Sequence, residues 1–269
     1  TLESNQISGQ SVTLPLTISN GNGVTLNYSI AYPKDNGVLV LHLDEPYAVT
    51  TFYDSSGYGN HGECTGDACP AAGVPGKYGS AVHFDGVNDY ISVADAPSLN
   101  PQNAITISAW FLADDWDVNC TIAQNGVDNV QYRVWADLEW GILSFDISSV
   151  GSLFISLPSV GTWHHVVGVY DGTQMQLWID GVLRLTYYNP VLMPTTTDPL
   201  YIGAKPAVSL PGEYFHGRID EFYIFDRALN AAEIQQYYAY GPLDDIPGLT
   251  IDPLTGSLPM ETSLPVQVS

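Results

Sequence analysis

The sequence predicts an all-β protein, a two-sheet sandwich with one short helix near its C-terminal end. Three observations carry that prediction. Short apolar runs recur along the chain, such as Ile105-Thr-Ile-Ser-Ala-Trp-Phe-Leu112 and Ile142-Leu-Ser-Phe-Asp-Ile147, each of strand length and rich in β-branched and aromatic residues. Turn pairs that tolerate positive φ, Asp171-Gly172 and Asp180-Gly181, close several of them. Only Asn230 followed by Glu233 carries convincing helix punctuation, in capping-box spacing.

The elements follow in chain order. Val12, Leu14, Leu16 and Ile18 alternate with polar positions, as do Val24, Leu26, Tyr28, Ile30 and Tyr32 beyond the turn Asn20-Gly-Asn-Gly23. Period two around an Asn/Gly turn predicts a half-buried hairpin, with Pro15 outward at an edge or bulge. Strands are expected over 38–43, 81–85, 90–93, 105–112, 130–135, 142–147, 164–170, 176–179, 183–187 and 218–225, and Cys120 belongs on a buried strand. After Asn230, the residues Ile234, Tyr237 and Tyr238 share one helix face, which should pack on a sheet. At the end, Leu249-Thr-Ile-Asp-Pro-Leu-Thr-Gly256 enters a turn, and Leu264, Val266 and Val268 alternate again.

Composition narrows the function classes. The 269 residues are 45% hydrophobic, enough for a core, and carry 29 acidic against 7 basic residues, a net charge of -22. Such a chain repels nucleic acid and anionic membrane surfaces. It attracts cations, although acidity also serves solubility alone. No apolar stretch approaches the roughly 18 residues of a membrane span, and no signal peptide is visible ahead of Thr1, so a mature or excised piece is expected. Cys64-Thr-Gly-Asp-Ala-Cys69 reads as a small local disulfide and hence an oxidising compartment. Zinc is the rival there, but two further ligands at suitable spacing are missing. Cys120 reads as a buried free thiol.

Several ordered motifs carry a family resemblance: Asp54-Ser-Ser-Gly-Tyr-Gly-Asn-His-Gly62, Phe84-Asp-Gly-Val-Asn-Asp-Tyr90, Trp163-His-His-Val-Val-Gly-Val-Tyr-Asp-Gly172, Gly217-Arg-Ile-Asp-Glu-Phe-Tyr-Ile-Phe225 and the helix from Asp226 to Tyr238. Together they resemble the laminin-G-like, concanavalin A-type jelly roll, over residues 37–241. The flanks, 1–36 and 242–269, resemble two parts of one bacterial immunoglobulin-like domain. The phrases are Leu16-Thr-Ile-Ser-Asn20, Leu26-Asn-Tyr-Ser-Ile30 and Leu249-Thr-Ile-Asp-Pro-Leu-Thr-Gly-Ser-Leu258. On that reading the jelly roll is inserted into a loop of the flanking domain, which is easy when the guest's termini are close. Two unrelated linkers are the alternative. The flanks are thin for a full sandwich, so a missing segment or a neighbour's added strand would complete it.

The resemblance also implies a calcium ion held by Asp54, Asn60 and Asp220, with a Gly57 carbonyl and Asp44 close by. Calcium takes six to eight oxygens of these kinds. The alternative is that Asp54 and Asn60 form Asx turns and Asp220 pairs with Arg218 or Arg227. Asp85, Asn88 and Asp89 offer a second cation site, or simply a turn. His164 and His165 face opposite sides of a strand and cannot chelate one ion together. Trp116, Trp135, Trp140 and Tyr132 are candidates for stacking on sugar rings, with core packing as the competing use. Glycoside hydrolases of the same jelly roll carry a Glu-x-Asp-x-x-Glu run. Asp137 and Glu139 are the nearest approach and lack the third carboxylate. Gly-x-Ser-x-Gly and His-Glu-x-x-His are missing too.

The expected function is therefore a non-catalytic, calcium-stabilised adhesion or recognition module at the cell surface or outside the cell. Its partner would be a glycan or a surface protein. The alternative is a structural subunit of a surface filament or layer, self-associating through strand addition at the terminal domain.

Overall fold

The computed structural model describes residues 14–20, 26–29, 37–127, 130–205, 212–241, 251–252, 255–258 and 262–268. The chain forms two units: Thr1–Lys34 with Pro242–Ser269, and Asp35–Gly241. In the first, the strand Leu14–Asn20 pairs antiparallel with Thr262–Val268, which also pairs with Ile251–Asp252. Leu26–Ser29 pairs with Thr255–Leu258. Among the described residues the first two strands do not pair with each other, and each pairs instead with a strand of the C-terminal flank. Alternation fixes which residues share a face, but not which strand lies alongside.

The second unit is a sandwich of two eight-stranded sheets. The first sheet runs, edge to edge, Gly151–Ser156, Ile142–Ile147, Tyr132–Asp137, Cys120–Asn125, Leu200–Ile202, Ile91–Val93, Gly62–Glu63 and Thr51–Phe52. The second runs Val182–Tyr188, Gln174–Ile179, His164–Tyr170, Ile105–Ala113, His216–Phe225, Ser80–Asp85 and Ala71–Pro75. Leu39–Leu41 also pairs with His216–Phe225. Pairing is antiparallel throughout.

Period two builds the first sheet. Tyr132, Val134 and Ala136 are buried, while Arg133, Trp135 and Asp137 point outward. The inward row meets Phe84, Phe111, Phe145 and Phe222 in one core between the sheets. The two sheets meet closely at Gly168, where an added Cβ would lie 2.5 Å from the Phe145 ring.

The middle of the second sheet is covered on both faces, so His164–Tyr170 and the later part of His216–Phe225 are almost continuously buried, while the edge strand Val182–Tyr188 is exposed. Its outer side holds a separate apolar cluster of Val40, Val167, Tyr223 and Phe225 beneath Leu229, Ile234 and Tyr237. The helix Ala231–Tyr240 supplies this cover. Asn230 accepts from the Ala232 and Glu233 N–H groups, and Glu233 reaches back to the Asn230 N–H, completing the expected capping box. Such a cap is worth about 1 kcal/mol.

Cys64 and Cys69 form a disulfide with Cα atoms 4.9 Å apart, which settles the choice between bridge and zinc pair. Cys120 is a buried free thiol, its pKa pushed up to about 12 by desolvation and by Glu213 and Asp115.

Candidate functional site

Asp54 follows the first strands of the sandwich and faces back onto the chain. Its Oδ1 accepts from the N–H groups of Val40 (3.0 Å) and Ser56 (2.9 Å). Its Oδ2 accepts from the Ser56 hydroxyl (2.7 Å) and the Asn60 N–H (2.9 Å). Four donors occupy a carboxylate with about four lone-pair positions. Asn60 spends its amide N–H groups on Val38 O and Ser98 Oγ. Gly57 and Gly59, at φ of 89° and 76°, shape the turn that allows this. The arrangement is an Asx-type loop lock in which four donors already hold the Asp54 carboxylate, while Asn60 uses its amide N–H groups within the loop.

Asp220 belongs to another group. The strand His216–Phe225 carries an irregularity between Asp220 and Tyr223, with Glu221 at φ 50°. A bulge re-aims side chains, and here both acids are interior, Asp220 at 0% exposure and Glu221 at 1%. Asp220 Oδ2 accepts the N–H groups of Lys77 (2.7 Å) and Tyr78 (3.0 Å). Its Oδ1 is buried without a hydrogen-bond partner. Asp44 caps the same loop by accepting the Ser80 N–H. Gly76 and Gly79 are required there, because added Cβ atoms would sit 2.7 Å from Asp220 Oδ2 and 2.4 Å from Asp44 Oδ1. Glu221 takes His42 Nδ1 at 3.0 Å and the Tyr223 hydroxyl. Desolvation, reinforced by Asp44 and opposed by the N–H groups of Tyr78, Lys77 and Glu221, pushes the Asp220 carboxyl up to about 8. Burial and the Glu221 and Asp220 charges push the Tyr78 phenol to about 12. An orphaned carboxylate oxygen beside a second carboxylate, in a negative interior, fits a hard cation. Asp220, with Asp44 on the same loop, has an oxygen to spare for that role, whereas the Asp54 carboxylate already accepts four hydrogen bonds.

The aromatic candidates divide. Tyr132 is fully buried and donates its hydroxyl to Leu99 O (3.1 Å). Desolvation pushes its phenol pKa up. Trp116 packs between Phe111 and Phe215, with ring centroids 6.2 Å from each, and donates Nε1 to Pro158 O. Tyr132 is therefore corrected to a core residue, whereas Trp116 is partly buried and packs against the core. Tyr132 sits on the inward phase of its strand. Trp135 is on the outward phase, and Trp140 is 72% exposed at a turn.

Around Trp135 the structure assembles groups that sequence reasoning missed. The register sets Arg133 opposite Asp146, and Trp135 opposite Ser144, which in turn faces exposed Phe154. Asp146 Oδ2 accepts both Arg133 Nε (2.8 Å) and Trp135 Nε1 (2.7 Å), and Ser144 donates to its other oxygen. The guanidinium lies 3.9 Å over the indole. Arg133 and Asp146 also line an open cleft of about 500 Å³ with Ser148, Ser149 and Ser152. Arg133 alternates with Trp135 in the sequence, a visible signal, but Asp146 joins only through strand register.

The other expectations resolve simply. Asp85 Oδ1 accepts the Val87 and Asn88 N–H groups, which is a turn. Arg227 pairs with Glu233, and Arg218 reaches Pro75 O, so neither neutralises Asp220. His165 is buried against Trp110 and Tyr238, and desolvation lowers its pKa to about 3. His164 Nδ1 meets Asp180 at 2.9 Å while its Nε2 meets Ser159 Oγ at 2.9 Å. That order of atoms matches a hydrolytic triad. However, Asp180 also accepts the His165 N–H, fixing the strand, and the Gly161 N–H beside Ser159 is committed to Ala113 O. An acyl-transfer site needs such N–H groups aimed at the oxyanion.

A family model described as the concanavalin A-like lectin/glucanases superfamily matches residues 85–235. The chain belongs to this family. No curated protein sequence matches it significantly. Among solved structures, the binding domain of Paraclostridial Mosquitocidal Protein 1 aligns with TM-score 0.61 and 19% identity, covering 76% of this chain and 52% of that one. The botulinum neurotoxin serotype D ligand-binding domain in complex with N-acetylneuraminic acid aligns with TM-score 0.57 and 16% identity, over 76% and 50%. The Trypanosoma rangeli sialidase in complex with 2,3-difluorosialic acid aligns with TM-score 0.61 and 14% identity, over 79% and 34%. The chain thus spans about half of the two toxin domains. At these identities the likeness concerns the concanavalin A-like fold. Among the described residues, no helix is long and apolar enough to cross a membrane.

Proposed function

We propose that this concanavalin A-like chain is a non-catalytic extracellular recognition module that binds a glycan on the outer face of its first sheet. The observation that carries this reading is the Arg133–Trp135–Asp146 assembly beside the serine-lined cleft. Sugar rings offer apolar C–H faces and fixed hydroxyls, so they need an aromatic surface flanked by rigid donors and acceptors. Trp135 supplies the surface. Arg133, Asp146 and the serine hydroxyls supply the polar edge, and exposed Phe154 and Trp140 extend it. The toxin domain solved with N-acetylneuraminic acid shares the fold and supports this choice of ligand class. The disulfide supports an oxidising, extracellular setting.

A calcium ion is part of the proposal, with Asp220 and Asp44 as its side-chain ligands at the Gly76–Ser80 loop. When bound, the ion would supply charge compensation and a tie between the early and late strands. The terminal unit is read as a partial immunoglobulin-like sandwich that carries the recognition module.

A glycan array with the intact chain tests the reading. Binding to a defined glycan class is expected, and Trp135→Ala with Arg133→Ala should abolish it while the melting temperature stays within a few degrees. A glycan retained at full affinity by that double variant would place the ligand elsewhere.

A further inference from the structure

A second cluster lies on the opposite sheet, far in character from the aromatic face. His83, Asp114 and His216 each offer one ligand atom, and these atoms lie within 4.8 Å of one another. His83 Nε2 is 2.8 Å from Asp114 Oδ2, and His216 Nε2 is 3.8 Å from the same oxygen. The geometry points to a binding site for a divalent transition-metal ion, of the zinc class, held by His83, Asp114 and His216.

The fold explains the convergence. Ser80–Asp85 and Ile105–Ala113 flank His216–Phe225 on either side. His83 lies opposite Arg218, and the Asp114 N–H donates to His216 O. The neighbours Val82, Phe84, Phe111, Ala113 and Ile219 are buried in the core. By alternation the three polar residues share the outward face. Adjacent strands then bring their side chains within reach of one ion.

The donor set has the chemistry of such a site. Imidazole nitrogen and carboxylate oxygen suit zinc, at about 2.0–2.2 Å. The three side chains are 28%, 35% and 38% exposed, so an ion can enter and keep a water ligand. His216 is already oriented, because its Nδ1 meets Asp115 Oδ2 at 2.7 Å and leaves Nε2 facing Asp114. A carboxylate behind a ligating histidine is the usual supporting arrangement. His83 and His216 stand edge to face with centroids 5.9 Å apart, held by these carboxylates rather than by packing alone. Asp85 and Asp89 add negative charge alongside.

The site is distinct from the calcium ligands and from Trp135, so its test is independent of both. Zn²⁺ is titrated calorimetrically into the intact chain with calcium in excess. One ion binding in the micromolar range is expected, with a rise in melting temperature. His83→Gln and His216→Gln should each weaken binding by more than about tenfold, and Asp115→Ala by about tenfold through lost orientation. His61→Gln, at an exposed histidine elsewhere, should bind as the parent does. Each variant is compared by its metal-free melting temperature, and bound Co²⁺ gives a visible absorption band as a second readout. Undiminished Zn²⁺ affinity in the His83→Gln/His216→Gln double variant, or no binding by the parent, would overturn the proposal and leave a surface ion-pair cluster.

Discussion

Removing metal should make this protein's stability fall steeply with pH, and Asp220 should be the cause. Its carboxyl is held at about 8 in the folded chain, against about 3.9 when unfolded. A folded pKa above the unfolded one gives stability that is fully present below about pH 4. It is lost progressively as pH rises, and gone once the folded group ionises near pH 8. At about 1.36 kcal/mol per unit, the chelated protein should lose on the order of 4 kcal/mol between pH 5 and pH 8. Urea unfolding in chelator at several pH values measures this. The general acidity of the chain adds its own slope, so Asp220→Asn is the reference. The amide keeps an acceptor for the Lys77 and Tyr78 N–H groups but cannot ionise. Its overall stability drops, because buried amide N–H groups then face the position where Asp220 Oδ1 has no partner. Its pH slope should nevertheless be several kcal/mol shallower than that of the parent. Excess Ca²⁺ at pH 8 should restore the parent and leave the variant unchanged. Parallel pH slopes for the two chelated proteins would refute the assignment of a raised, buried acid. Calcium restoring neither would remove the ion while leaving the acid in place.

Other outcomes follow from single features. Reducing the Cys64–Cys69 bridge, with its sequence separation of 5, should cost about 2 kcal/mol by loop-closure entropy, read as a shifted urea midpoint; an unchanged midpoint would deny the bridge a stabilising role. Gly168→Ala should cost about 1–3 kcal/mol, because the new methyl meets the Phe145 ring; a neutral result in thermal unfolding would mean the sheets yield freely there. Ser159→Ala should leave the background hydrolysis of an activated ester unchanged, whereas a drop in rate would give the Ser159–His164–Asp180 chain a catalytic role.

The sequence disclosed the sandwich because its signals are local. Ile142–Ile147 and His164–Tyr170 are found where alternation and apolar runs place them. Asn230 and Glu233 announce the helix through a contact confined to one turn. The short strands Thr51–Phe52 and Gly62–Glu63 carry too few residues to show any period. The candidate sites were less legible because they depend on register. The Asp146 carboxylate reaches Arg133 and Trp135 only once two strands align. Asp54 and Asp220 look alike as acids in Gly-rich motifs, and only the hydrogen-bond inventory separates a saturated carboxylate from one with an oxygen to spare. Tyr132 and Trp135, three positions apart, have opposite fates because they fall on opposite phases of one strand.

The strand His216–Phe225 sits between Ile105–Ala113 and Ser80–Asp85 and also accepts Leu39–Leu41. It is among the last pieces of the sandwich to be synthesised, yet it occupies the middle of a sheet. His42 and Glu221, which touch across it, are 179 residues apart in sequence. Until the ribosome releases this segment, the preceding strands have no centre to close on and their apolar edges wait unpaired. Closure of this module is therefore expected to wait for His216–Phe225 and to be slow, with the greatest exposure to aggregation just before that strand emerges.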